Sequence, residues 1–309
     1  MKEISTSFDV GNNNMGDNDP IEINYEIRKR KNWLRYLKSW EISLGFVIVG
    51  IFILTAVFAP WLAPYDPLAV NIKDRLIAPC SDHYLGTDVL GRDVLSRIIY
   101  GGRISIIAAS VVLTVVITIG GTLGAISGYF EGIIGTVIMR VTDIFLSFPG
   151  IVLAMAVNAA IGPSLVGAFI AISFVWWPGY ARLIRAQVIS LKSSGYVDSA
   201  RAIGCKDSRI ILKHILPNSL SPIIVKMTLD VGFIILTMAT LSFIGLGAQP
   251  PTPEWGAMVT QGRAYLIDHW WWSTFPGLAI MITVIGFNLL GDGLREILDP
   301  RLQFGEVFR

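Results

Sequence analysis

The chain has 309 residues, 53% of them hydrophobic and only 16% charged, with a formal net charge of +2. A soluble domain carries roughly 25% charged residues, so a soluble globular protein is excluded, and so small a net charge gives no reason to expect nucleic acid. The apolar residues fall in long runs, which predicts an all-α polytopic membrane protein.

In chain order, residues 1–40 divide in two. "GNNNMGDNDP" reads as a disordered tail, and "IRKRKNWLRYLKSW" reads as a basic amphipathic helix at a membrane surface. No cleavable leader is visible, because the first apolar run comes too late. That run, within 41–60, is the first span, and a proline-rich loop follows over 61–103. A core of spans then covers 104–297, with spans expected at about 104–128, 133–160, 164–189, 222–246 and 275–294. A second loop lies at 247–273, and 298–309 form a tail. Cys80 and Cys205 are far apart and form no Cys-x-x-Cys pair, so they read as unrelated thiols.

Basic residues set the orientation. They crowd the N-terminal tail, the stretch from Arg182 to Lys213 and the C-terminal tail, whereas the 247–273 loop has only Arg263. With six spans the three basic regions share the cytoplasmic side. The 61–103 loop carries Lys73, Arg75, Arg92, Arg97 and Arg103, and parity alone places it outside. Trp270, Trp271 and Trp272, just before the last span, read as an interfacial aromatic belt, with a ligand cage as the alternative. Gly120, Gly121, Gly124 and Gly128 let helices approach closely where lipid gives no hydrophobic drive.

Polar groups inside the spans have two readings. Arg140 and Asp143 are one turn apart and form an internal ion pair, let Arg140 snorkel, or mark a substrate path. Asn158 and Asn288 line a path or knit helices together. "SFPG" (Ser147 to Gly150) and Pro178 predict kinks. In the outer loop, Asp88, Arg92 and Asp93 pair with a partner protein, with another subunit or with one another. His83, His214 and His269 are scattered, so no metal site is expected. No nucleophile is set beside a base, and no Gly-Lys pair exists to build a phosphate-binding loop, so catalysis by this chain is not expected.

The stretch "YVDSARAIGCKDSRIILKHILPN" (Tyr196 to Asn218) is a polar insert between two oily spans. Tyr196, Ala200 and Ile203 mark one apolar stripe, and Gly204 supplies the left-handed turn that ends a helix. Asp207 reads as the N-cap of a second short helix, with Ile211 and Ile215 on one face, and Pro217 stops it. A bare connector needs only a few residues, so a rigid helix–turn–helix bracket of this length predicts docking by a cytoplasmic partner.

These residues resemble the EAA motif of ABC importer permeases. Asp198, Ser199 and Ala200 stand for its first three residues, Gly204 for its glycine, and Leu216–Pro217 for its close; Asp198, Ser199 and His214 depart from the general pattern. "HYLGTDVLGRDVLSRIIYGGRISI", "PPTPEWGAMV" and "FPGLAIMITVIGFNLLGDGLREILDPR" resemble signatures of the dipeptide, oligopeptide and nickel branch, and the likeness runs from about 40 to 303, leaving residues 1–40 outside. It implies the C-type permease subunit of an ATP-driven importer with the type I fold, in a prokaryotic cytoplasmic membrane. The implied partners are a second homologous permease, two ATP-binding subunits and an extracytoplasmic substrate-binding protein. ATP and Mg would be bound by the ATPase chains and no cofactor by this one. The residues from Asp198 to Pro217 would seat in a groove of one ATPase. Peptide is the expected cargo, with nickel or a metal chelate as the alternative; a sensor or scaffold, and a stand-alone secondary transporter, are the competing classes.

Overall fold

In the computed structural model, residues 40–298 are described. The expected disordered tail, the basic helix up to Ser39 and the C-terminal tail lie outside them. Eleven α-helices follow: α1 (Trp40–Val57), α2 (Ala59–Leu62), α3 (Val94–Tyr129), α4 (Ile133–Leu146), α5 (Gly150–Ile161), α6 (Leu165–Lys192), α7 (Gly195–Ala202), α8 (Asp207–Ile210), α9 (Leu220–Phe243), α10 (Trp255–Gly262) and α11 (Trp271–Leu298). Among the described residues there is no strand beyond one isolated bridge, Thr87 to Asp93. Five runs are long and apolar enough to cross a membrane: α1, α3, α6, the run from Asp207 through Phe243, and α11.

The expected third span is not one helix. α4 and α5 are bent by 89° at a break, and count as a sixth span only if the pair is taken as one. The cause is Pro149, which has no N–H to donate and whose ring pushes Phe148 out of the helical region. Pro149 itself is extended, at φ −58° and ψ 121°. Pro178, by contrast, lies inside a continuous α6.

α3 begins ten residues earlier than the second span was expected. The Asp93 carboxylate accepts from the Ser96 backbone N–H, which satisfies a donor of the first turn. At 1.5 Å per residue its 36 residues reach about 54 Å, well beyond a hydrocarbon core of about 30 Å. α3 is therefore both a span and a strut under the 61–103 loop.

Helix packing follows the small residues. Gly120, Gly124 and Gly128 lie one turn apart on α3, and Cβ atoms added there would stand 2.5 Å from Trp177 O, 2.6 Å from Ala181 O and 2.9 Å from Arg185 O on α6. Only glycine permits that approach. Gly286 and Gly293 of α11 lie as closely against Ile48 and Ile42 of α1. The core has three parts: α3, α6 and α9 around Val112, Ile172 and Met238; α1, α9, α10 and α11 around Phe52, Trp255 and Trp272; and the end of α3 and α6 against the bracket.

The tryptophan run is mostly core rather than belt. Trp271 and Trp272 are buried and only Trp270 is exposed. The Trp271 indole donates to the Thr87 carbonyl at 3.2 Å, so it joins the second loop to the first. α11 starts at Trp271, which carries these rings inward. The same loop is anchored by Glu254, whose buried carboxylate accepts from the Gly256 and Ala257 backbone N–H groups at 3.0 and 2.8 Å and caps α10. Burial pushes that carboxyl up from the ordinary range, against the pull of the two backbone donors.

Candidate functional site

The bracket starts at α7. Gly204 has φ 80°; its N–H bonds to Arg201 O at 2.9 Å, and the Cys205 N–H bonds to Ala200 O at 3.0 Å. This pair of bonds is the Schellman arrangement that the glycine predicts. Inward, Val197 and Ala200 pack with Ile210, Ile215, Ile184 and Val188. The apolar stripe expected from Tyr196 and Ile203 does not go inward: Tyr196 is exposed and Ile203 is 80% exposed. Val197, not Tyr196, shares the buried face with Ala200.

The second half corrects two expectations. Lys206 occupies the N-cap position, and Asp207 is the first residue of α8. The Asp207 carboxylate accepts instead from the Tyr129 hydroxyl at the end of α3. Nor does Pro217 end the run. Residues Ile211–Ile215 widen into a π-turn, with the Leu216 N–H bonded to Ile211 O at 2.9 Å, and Pro217–Ser219 tighten into a 3-10 turn that feeds α9. The widened turn accommodates a residue with no N–H, so the bracket and α9 form one continuous run.

Tyr129 is a joint that sequence reasoning missed. Lys192 Nζ donates to its carbonyl at 2.7 Å, and Lys192 and Arg201 lie 5.5 and 5.6 Å over its ring. The bracket is thus tied to the ends of both α3 and α6. A lone tyrosine after a glycine-rich span carries no signal of this in sequence.

Asp198 and Ser199 do not pack inward. Asp198 is exposed and pairs with Arg201 at 3.4 Å, an interaction that solvent screens, and the Ser199 hydroxyl donates to Gly195 O at 2.9 Å. Leu216 is half-buried and Pro217 exposed. The outward face is apolar at Ile203 and at Leu212, which is 64% exposed. Around these stand Arg201, Lys206, Arg209 and Lys213, all exposed.

The charged 61–103 loop closes on itself. Asp88 accepts from the Leu90 and Arg92 backbone N–H groups and from Arg92 Nε at 2.7 Å, and Arg97 Nε lies 3.8 Å from it. Arg97, fully buried, donates to Pro67 O at 3.0 Å and Pro251 O at 3.4 Å, joining the two loops. Asp93 holds His83 Nδ1 at 3.0 Å. Asp88 and Arg92 thus pair with one another, whereas Asp93 pairs with His83 and Ser96 and with neither of them.

Within the spans Arg140 and Asp143 do not pair. Asp143 takes Arg182 of α6 at 2.7 Å, and Arg140 is exposed on α4. Asn158 is buried, and its amide donates to Leu246 O at 2.8 Å, which knits α5 to the end of the α9 segment. A further pair, Lys226 and Asp230 of α9, was not singled out in sequence, although its i, i+4 spacing inside a span is a legible signal.

A helical bundle with five candidate spans, or six if α4 and α5 count as one, and a polar bracket between two long helices has the make-up of a multi-pass membrane protein. The structure matches that of the inward-facing MetNI methionine ABC transporter with a TM-score of 0.54 at 17% identity, over 66% of this chain and 96% of that one, which shows the type I importer fold. The chain belongs to the binding-protein-dependent transport system inner membrane component family, whose model matches residues 120–304. A second model, the N-terminal TM domain of oligopeptide transport permease C, matches residues 30–79, so the likeness starts before residue 40. The probable D,D-dipeptide permease of Escherichia coli K12 is 48% identical over 82% of this chain and 86% of its own length. The dipeptide permease of Alkalihalophilus pseudofirmus is 46% identical over 87% and 89%. The glutathione permease of Pectobacterium atrosepticum is 44% identical over 89% and 91%. The chain is therefore a permease subunit of a binding-protein-dependent importer.

Proposed function

We propose that this subunit passes dipeptides or oligopeptides across a prokaryotic cytoplasmic membrane. The reading is carried by one observation, the match to peptide permeases at 40–48% identity over 82–89% of the chain. On this reading the translocation path is shared with a second, homologous permease, and an extracytoplasmic binding protein delivers the cargo to the loops at 61–103 and 247–273. Two ATPase subunits bind ATP and Mg; this chain holds no cofactor. Its termini lie in the cytoplasm.

The bracket then acts as the coupling lever. Ile203 and Leu212 seat in an ATPase groove, and Asp198, Ser199, Ala200, Gly204, Leu216 and Pro217 shape the lever behind them. Because the bracket runs unbroken into α9 and is pinned to α3 through Tyr129 and Asp207, closure of the ATPases moves whole spans rather than a loop. Asp143 and Arg182, more than half exposed on this chain alone, face the second permease or the path, since a charge pair is not left in lipid.

The test is uptake in proteoliposomes holding both permeases, both ATPases and the binding protein. ATP-dependent accumulation of a labelled dipeptide is expected. Uptake of a nickel chelate with no uptake of peptide would replace the cargo and keep the architecture. Accumulation driven by an ion gradient without ATP would overturn the class.

A further inference from the structure

A cavity of about 720 Å³ opens between α6, α9 and α11, lined by Gln187, Lys226, Asp230, Phe233 and Arg295 among others. That size holds a small peptide. Asp230 is 6% exposed, ten residues into the span. Lys226 Nζ lies 3.0 Å from its Oδ2 and donates a long hydrogen bond of 3.3 Å to Oδ1. Oδ2 itself accepts no hydrogen bond. Tyr180 of α6 is fully buried, and its hydroxyl faces the Asp230 carboxylate. The Lys226 ammonium rests 5.0 Å above the Tyr180 ring, so the three groups form one cluster.

Lys226 and Asp230 both line the cavity and are held mainly by one another, so a ligand entering it reaches both charges. Charge decides which ligand. A lone cation at Asp230 would displace Lys226 and leave it without its partner, and a lone anion at Lys226 would strand the buried Asp230. A zwitterion exchanges one internal pair for two new ones and strands nothing. We propose that Lys226 and Asp230, with Tyr180 behind them, form an intramembrane subsite for the two free ends of a zwitterionic peptide. The α-ammonium donates to Asp230, which Tyr180 positions from behind, and the α-carboxylate accepts from Lys226. Breaking the internal pair makes binding weak, which suits a cargo in transit. The inference rests on the peptide reading above.

The test uses the whole transporter purified without its binding protein, in lipid nanodiscs, titrated with dialanine by calorimetry. Saturable binding is expected, weakened about tenfold or more by Asp230→Asn and a few-fold by Tyr180→Phe. On the wild-type complex, N-acetyl-dialanine, which lacks the ammonium, should bind about tenfold more weakly as well. If Asp230→Asn fails to assemble, the acetylated probe and Tyr180→Phe decide the matter. Equal binding of the two probes, or no saturable binding, overturns the subsite. Dialanine uptake is measured in parallel with the binding protein restored. Uptake without subsite binding leaves peptide transport standing and removes the subsite; no uptake removes the peptide reading, and the titration still judges the subsite.

Discussion

At Gly204 the backbone holds φ at 80°, and a Cβ added there would meet no atom within 4 Å. Substitution is therefore opposed by backbone strain, about 1 kcal/mol or somewhat more, and not by a clash. Gly204→Asp adds a negative charge to the basic face of the bracket as well. We expect this variant to insert in the membrane, to co-purify with less ATPase and to take up little cargo. Gly204→Asn should retain most uptake, since Asn tolerates positive φ better than other residues. Full uptake by the Asp variant would reduce the bracket to a connector. The role of Gly204 was legible because a glycine between two short amphipathic periods has one common backbone use. Asp207 was misread for the opposite reason. Its type suits an N-cap, but Tyr129, 78 residues away in sequence, takes its carboxylate.

At the scale of elements, α3 and α6 depend on the seam at Gly120, Gly124 and Gly128. A Cβ at Gly124 would stand 2.6 Å from Ala181 O, which is backbone and cannot yield, whereas one at Gly121 meets only Ile184 Cδ1, at 3.5 Å. Gly124→Val should lower the thermal unfolding midpoint in detergent, at a cost of roughly 1–3 kcal/mol. Gly121→Val, on the same helix, should change it little. Equal losses from both would show that the spacing does not mark the seam. The stripe was legible from its spacing, although sequence alone did not separate Gly121 from its neighbours. The break between α4 and α5 was half legible: "SFPG" marked the place, and the 89° bend depends on what the two pieces pack against.

At the scale of the molecule, orientation is tested by the two native thiols. Cys80 is exposed in the first loop, and Cys205 is half-buried in the bracket. On the proposed topology a membrane-impermeant maleimide should label Cys80 in spheroplasts, and Cys205 only after the membrane is opened. The reverse pattern would invert the subunit. The approximate place of the long apolar spans, the polar bracket and its glycine turn were determined by the sequence itself. They rest on local properties: runs of apolar residues, loop charge and backbone permissiveness. Pairing was decided only by the tertiary structure. Asp143 chose Arg182 over its helical neighbour Arg140, Asp88 took Arg92 and Arg97 inside the loop, and two of three tryptophans turned into the core. Each of these contacts depends on which elements meet, and in a helical bundle that follows from the close approach of whole helix faces and not from the residues beside a charge in the chain.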